Sequence, residues 1–152
     1  MSLTPSHTVV LRSTNYYAGT NKNSLQYAID WSFLPDGKYA LGYNFISKSV
    51  TDNQIVFISL PDLGVVMNSF TAGSQTSANT NTFLGVVSNW YAGTTSGGAG
   101  YLYSNYLTNP PIRLESKPTN NIFTVNLYDN TGTTLYTMNA EYVLVLYFER
   151  IE

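Results

Sequence analysis

The chain has no cysteine, few charged residues and no long apolar run. Without cysteine it forms no disulfide and offers no thiolate, which excludes thiol catalysis and sulfur-ligated metal centres. Charged residues make up 11% of the chain, against roughly 25% in ordinary domains. No apolar run approaches the roughly 18 residues of a membrane-spanning helix, so we expect no membrane span.

Basic residues and histidine are also scarce. The seven Lys and Arg are scattered along the chain, so no basic stripe predicts contact with nucleic acid. His7 is the single histidine, and an ordinary surface histidine is a simpler interpretation than a catalytic or metal-binding one. The beginning of the chain lacks the charged and apolar regions of a signal peptide, so we expect a soluble protein made in the cytosol.

Acidic residues do not form a recognisable catalytic pair or metal loop. Asp30, Glu115, Glu141 and Glu149 are the carboxylates that a sheet could bring together for glycoside hydrolysis, but their spacing gives this no support. The glycine-rich segment 93–100 lacks the Lys-Ser or Lys-Thr of a phosphate-binding loop. We therefore predict that the chain is not an enzyme and uses no cofactor, metal or small-molecule substrate.

Neutral polar residues and tyrosine are abundant instead. Ser, Thr and Asn supply about a third of the chain, which also has 13 tyrosines. A chain of 152 residues is long enough to bury the core of one domain, which we place at 1–152. Residues 1–23 are expected to form an N-terminal arm or an edge strand.

Short apolar runs with period two predict an all-β fold, an antiparallel sandwich of two sheets. No segment has the period of a helix. Segments 71–81 and 93–100 are rich in small polar residues and glycine, which predicts exposed loops. The predicted strands lie near residues 7–13, 24–33, 38–47, 54–60, 64–70, 82–90, 101–106, 112–115, 121–128, 133–138 and 141–150.

Two turn sequences predict hairpins with a definite register. Pro35-Asp36-Gly37 suits a three-residue loop between strands 24–33 and 38–47. That loop would pair Trp31 with Leu41. A second hairpin, around residues 130–132, would pair Leu127 with Leu135.

Two of the predicted strands are apolar on both faces. Strand 141–150 and strand 54–60 alternate between two apolar sets, although only one face of a sheet can line the core. A covering loop or terminal arm would bury the second face, but we expect a contact between subunits, because low charge favours association. The candidate subunit-packing residues are Val56, Ile58, Val143, Val145 and Tyr147.

Aromatic residues flank the glycine-rich segment 93–100. Core packing at alternating strand positions accounts for most of the tyrosines, but not for this group. These residues are a candidate contact surface at one end of the sandwich, formed by Trp90, Tyr91, Tyr101 and Tyr103.

Several segments carry a family resemblance. They are Thr8 to Ser13, Trp31 to Tyr39, Asn109 to Leu114, Pro118 to Asp129 and Tyr142 to Glu149. Together they resemble small capsid proteins of large eukaryotic DNA viruses, virophages and polinton-like viruses.

The resemblance implies a single jelly roll of about eight core strands in an icosahedral shell. The chain would then be a minor capsid protein between capsomers or a vertex (penton) pentamer, without an active site. It would be located in the virion and assembled inside the host cell. Its partners would be itself, as a pentamer or trimer, and neighbouring capsid proteins. The alternative is a lectin-like or receptor-binding sandwich that uses the aromatic residues near 90–103.

Overall fold

The computed structural model describes residues 6–49, 55–63, 67–70, 78–81, 83–90, 100–104, 111–129, 134–136 and 141–152. Short 3-10 helices cover Trp31–Phe33 and Pro61–Leu63. The strands are β1 (Ser6–Arg12), β2 (Ala18–Asn21), β3 (Ser24–Ala28), β4 (Tyr39–Ser49), β5 (Ile55–Ser59), β6 (Met67–Phe70), β7 (Ala78–Asn81), β8 (Phe83–Trp90), β9 (Gly100–Ser104), β10 (Ile112–Leu114), β11 (Ile122–Tyr128) and β12 (Tyr142–Arg150).

The strand order is that of a single jelly roll. Sheet 1 has the order β1-β12-β4-β9, and sheet 2 has the order β8-β5-β11-β3, with every neighbouring pair antiparallel. The β8–β9 pair joins the sheets along one side, β2 extends sheet 2 beyond β3, and β10 pairs with β4. The predicted all-β jelly-roll sandwich is confirmed. Residues 6–12 form its edge strand β1.

The core lies between the two sheets and takes alternate residues from each. Phe123, Val125 and Leu127 of β11 are buried, and so are Leu144 and Leu146 of β12. Full burial of one such side chain stabilises the fold by roughly 1.5–3 kcal/mol. The intervening residues of these strands are only partly buried, as a sheet with one core face requires.

The hairpin predicted over Leu25 to Lys48 is wrong. β3 pairs with β2 and β11 in sheet 2, whereas β4 pairs with β12 and β9 in sheet 1. The chain leaves the sheet after β3 and forms the first 3-10 helix, which the Asp30 carboxylate caps by accepting a hydrogen bond of 3.0 Å from the Ser32 amide. Period two predicts which side chains face the core, but the strand that lies alongside depends on packing across the whole domain.

Trp31 explains why this connection crosses from one sheet to the other. Its buried ring lies edge-on to Phe123 of sheet 2 at 5.3 Å and to Phe148 of sheet 1 at 5.6 Å between ring centroids. Its indole nitrogen donates a hydrogen bond to the Asn120 carbonyl at 2.9 Å. Trp31, predicted to lie in strand 24–33, is instead part of a 3-10 helix and packs against both sheets.

The Pro35-Asp36-Gly37 turn lies beside the last residues of the chain. The Lys38 amide donates to the Glu152 carbonyl at 3.1 Å, and the Ile151 amide donates to the Lys38 carbonyl at 2.9 Å. Gly37 has a φ of +152°, which L side chains rarely adopt. The turn thus attaches the chain end to the start of β4.

The second predicted hairpin has the wrong register by one residue. Tyr128, not Leu127, is paired with Leu135, and the Asp129 amide donates to the Thr134 carbonyl at 2.8 Å. A slip of one residue exchanges the two faces, so Leu135 is exposed and Tyr136 is buried. The turn at residues 130–133 lies outside the described residues.

The loop predicted over residues 71–81 ends in a strand. Its last residues, Ala78–Asn81, pair with Met67–Phe70 in a separate two-stranded sheet. Backbone pairing of this kind does not need apolar side chains, so the hydrophobic pattern gave no sign of it. Of the loop predicted over 93–100, only Gly100 is described, and it begins β9.

The second 3-10 helix follows β5 and is attached by hydrogen bonds to β11 and to the residues just before it. The Asp62 carboxylate accepts hydrogen bonds from the Thr124 amide at 2.7 Å and from the Asn120 side chain at 2.9 Å. The Leu63 amide donates to the Leu60 carbonyl at 3.1 Å, which closes the turn that follows β5.

Candidate interaction surface

Sheet 1 carries apolar side chains on the face that points away from the core. Val10 on β1 is the Cα partner of Val145 on β12, and Val143 on β12 is the partner of Ile46 on β4. Val10 and Ile46 are each 48% exposed, while Val143 and Val145 are half-buried. We call the following residues the outer sheet face: Thr8, Val10, Ile46, Val143, Val145 and Tyr147.

Tyr147 contributes an aromatic ring whose polar end is hydrogen-bonded. The Asn44 side chain donates to the Tyr147 hydroxyl at 3.0 Å. The Cα partners of Tyr147 are Gly42 on β4 and Thr8 on β1. Because its hydroxyl is partnered within the chain, burial of this ring against another protein would not strand an unpaired polar group.

An ion pair lies at the end of sheet 1 where β12 begins. The Glu141 carboxylate is 2.7 Å from the Lys22 ammonium, and it also accepts a hydrogen bond from the Ser13 hydroxyl. The hydrogen bonds from Lys22 and then Ser13 hold the pKa of Glu141 below its usual value. The Ser13 hydroxyl in turn accepts from the Tyr142 amide at 2.9 Å, which attaches this charge to the sheet.

A network of exposed charges lies at the other end of sheet 1. Lys38 is 2.7 Å from Glu152, and Arg113 is 2.7 Å from Glu115 and 3.4 Å from Glu152. The hydrogen bond from Arg113 lowers the pKa of Glu115. Exposed pairs of this kind add little to stability. The outer sheet face lies between these two charged ends and carries uncharged side chains.

Three of the five predicted packing residues lie on this face. Val143, Val145 and Tyr147 alternate with the buried residues of β12, as the sequence pattern predicted. Their role in contacts between subunits stays a prediction.

The prediction that Val56 and Ile58 point outward is wrong. Both side chains are fully buried in the core, and Phe57 between them is half-buried on the opposite side. β5 lies within sheet 2, between β8 and β11. Since both faces of this segment are apolar, its pattern did not indicate which set faces inward.

The candidate aromatic surface lies mainly on the β8–β9 pair. Trp90 is the Cα partner of Tyr101, and Tyr103 is the partner of both Ser88 and Ile46. Tyr103 thus lies in the same row of sheet 1 as Ile46, next to one edge of the outer sheet face. Tyr91 lies outside the described residues.

Sequence reasoning missed Val10 and Ile46, the most exposed apolar residues of this face. Each had a signal. Val10 follows Val9, so one apolar residue falls on the face of β1 that otherwise carries Ser6, Thr8 and Arg12. Ile46 is a large apolar residue on the outward side of β4, where the preceding alternate positions are the small or polar residues Ala40, Gly42 and Asn44.

The described residues show neither a metal cluster nor a membrane helix. Within them, no three His, Cys, Asp or Glu side chains are grouped so that they could hold a metal ion. No helix in the described part of the chain is long and apolar enough to cross a membrane. The chemistry that the outer sheet face offers is contact with another apolar surface.

Comparison with known proteins finds no matching family model and no matching curated protein. Among solved structures, the chain is similar to the crystal structure of the selenomethionine-labelled mavirus penton protein. The two share 21% sequence identity with a TM-score of 0.43, over 66% of this chain and 36% of that chain. At this identity and TM-score the likeness carries no argument about function.

Proposed function

We propose that this chain is a structural protein of a virus particle, in which its jelly roll packs against other copies of itself and against neighbouring capsid proteins. The observation that carries the proposal is the outer sheet face. It is an exposed apolar surface on a rigid two-sheet scaffold, and it lies between two charged ends. The resemblance of the strand and turn segments to small viral capsid proteins supports it.

An exposed apolar sheet face favours contact with another protein. Contiguous apolar patches on a protein surface commonly mark sites of contact with another protein. Val10 and Ile46 keep about half of their surface in contact with solvent, and burying it would be favourable by roughly 25 cal/mol per Å². The shortage of charge in this chain reduces the desolvation cost of such a contact.

The role would be one of assembly, without a chemical step. In a pentamer the chain would occupy a vertex, and as a minor component it would fill space between capsomers. Both positions use the jelly roll as a rigid block whose sheet faces and edges contact neighbours.

The direct test is the composition of virus particles. Particles of a virus that encodes this chain are purified on a density gradient, and their proteins are quantified by mass spectrometry. We expect peptides of this chain to band with the shell at a constant ratio to the major capsid protein. Detection in infected-cell lysate together with absence from purified particles would overturn the proposal.

The second candidate is a lectin-like or receptor-binding module. The direct pairing of Trp90 with Tyr101 on β8 and β9 favours it, because neighbouring aromatic residues on adjacent strands suit the apolar face of a sugar. A glycan array tests it, with Trp90→Ala and Tyr101→Ala as variants. Binding that both substitutions abolish would support this function, and a protein that binds no glycan would exclude a lectin.

A further inference from the structure

Two charged residues bracket the outer sheet face from opposite ends. Arg12 on β1 is the Cα partner of Val143, and Glu149 on β12 is the partner of Ser6. Both side chains are exposed. Six residue positions separate the two charges along the paired strands, a distance of about 20 Å. Arg12 and Glu149 therefore do not pair with each other within one chain.

Within the part of the chain that the structure describes, neither charge has a partner. Among the residues that the structure describes, no ion pair or hydrogen bond involves the Arg12 or Glu149 side chain, although the ion pairs of Lys22, Lys38, Arg113 and Lys117 are formed. Two opposite unpaired charges at the two ends of an apolar surface are a pattern that a binding partner can complement.

The arrangement has an internal symmetry. The midpoint between Arg12 and Glu149 lies at the Val9–Leu146 pair, three positions from each charge along its strand. A two-fold axis that runs parallel to the sheet, above this point and at right angles to the line from Arg12 to Glu149, exchanges the positions of the two charges between two copies that face each other. It also brings the position of Val10 in one copy close to that of Tyr147 in the other.

We propose that the occupant of the outer sheet face is a second copy of this chain, related to the first by this two-fold axis. Arg12 of each copy then lies opposite Glu149 of the other, and Val10 of each copy lies near Tyr147 of the other. The contact is self-complementary in charge and apolar in the middle, as an isologous interface requires. This inference rests on the proposed function, since it specifies how copies of the chain contact each other.

The size of the face determines how strong the contact is. Three strands about 4.8 Å apart and seven residues long give a projected area of about 350 Å². Stable complexes bury roughly 800 Å² per partner, so this contact is weak between free chains. It becomes strong where many copies are already held together, as in a shell. The association must therefore be measured at high protein concentration and low salt.

Charge reversal tests the geometry directly. We expect Arg12→Glu and Glu149→Arg each to weaken association at least about tenfold, because each creates two contacts between like charges. An equimolar mixture of the two variants restores association within about twofold of the wild type, since every charge then meets its opposite across the axis. The double variant Arg12→Glu/Glu149→Arg is restored in the same way. Sedimentation equilibrium measures all four samples.

The control is Asp36→Arg, which makes the same change in charge as Glu149→Arg on a side chain that is 94% exposed in the turn before β4. We expect it to leave association unchanged. Single variants that associate like the wild type, or a mixture as weak as its components, would overturn the two-fold contact. A wild-type chain that stays monomeric at every concentration would also overturn it. The composition of virus particles is measured independently, so the proposed function can stand when this contact fails.

Discussion

The hydroxyl groups of Tyr27 and Tyr142 lie 3.4 Å apart inside the core, although Tyr27 belongs to sheet 2 and Tyr142 to sheet 1. Both side chains are buried, and burial is the main cause that raises the pKa of each. Both phenols therefore stay protonated, and one donates to the other. This polar contact links the two sheets at the β12 end that also carries Glu141.

The tyrosine pair predicts non-additive mutations. Tyr27→Phe and Tyr142→Phe should each lower the free energy of unfolding by about 1–2 kcal/mol, because each leaves one buried hydroxyl without its partner. The double variant should lose less than the sum of the two, since it leaves no unpaired hydroxyl. Urea unfolding at neutral pH measures all three. Strictly additive losses would show that the hydroxyls do not interact.

The same pair predicts a loss of stability in alkali. The ordinary pKa of tyrosine is 10.0, and that of Tyr27 and Tyr142 in the fold is higher. Above pH 10 the unfolded chain releases these protons while the folded chain retains them, so the free energy of unfolding falls as pH rises. We expect a shallower fall in Tyr27→Phe/Tyr142→Phe. An unchanged slope in urea titrations at several alkaline pH values would assign the effect to other groups.

Glu141 should make the free energy of unfolding fall in acid, whereas the tyrosine pair makes it fall in alkali. Its pKa is lowered from 4.5 by hydrogen bonds from Lys22 and Ser13. As pH falls below 4.5, the unfolded chain takes up the proton first and the stabilisation by this carboxylate is lost. Glu141→Gln should therefore be less stable than the wild type at neutral pH, with a difference that shrinks in acid. Glu149→Gln, which removes the same charge at the other end of β12, is the matched control.

We expect position 37 to tolerate no side chain. Its φ is +152°, and a Cβ there would lie 2.5 Å from the Glu152 carbonyl oxygen and 2.6 Å from the Arg150 side chain. Gly37→Ala should cost about 1–3 kcal/mol of stability and should loosen the contact between the chain end and Lys38. Asp36→Ala, on the exposed neighbouring residue, should change stability by less than about 0.5 kcal/mol. Equal thermal stability of the two variants would contradict this account of the turn.

The pattern of alternating residues predicted the core better than it predicted the strand pairing. Leu25, Tyr27, Leu41 and Phe45 are all buried, as their period-two spacing indicates. The proposed hairpin between them failed, because opposite sheets of a sandwich show the same alternation as adjacent strands of one sheet. The choice depends on contacts distant in sequence, such as Trp31 with Phe148.

The candidate surface was predictable where the residues on one face of a strand were more strongly apolar than those on the other face. In β12 the larger residues Leu144 and Phe148 are buried and Val143 and Val145 lie outside. In β5 both faces are similar in size and shape, and the pattern led to the wrong side for Val56. The charges of Arg12 and Glu149 became informative only when the register of β1 with β12 placed them on one face.

The absolute mass of the chain in solution tests the central claim that the outer sheet face joins copies of this protein. Light scattering at several concentrations and salt levels should give a mass above that of the 16.8 kDa monomer, rising with concentration. Val145→Lys should be folded by circular dichroism but monomeric, and Leu135→Lys, on an exposed residue elsewhere, should associate like the wild type. A discrete pentamer would favour the vertex position. A wild-type chain that is monomeric throughout, or a Val145→Lys variant with the same mass as the wild type, would contradict the account.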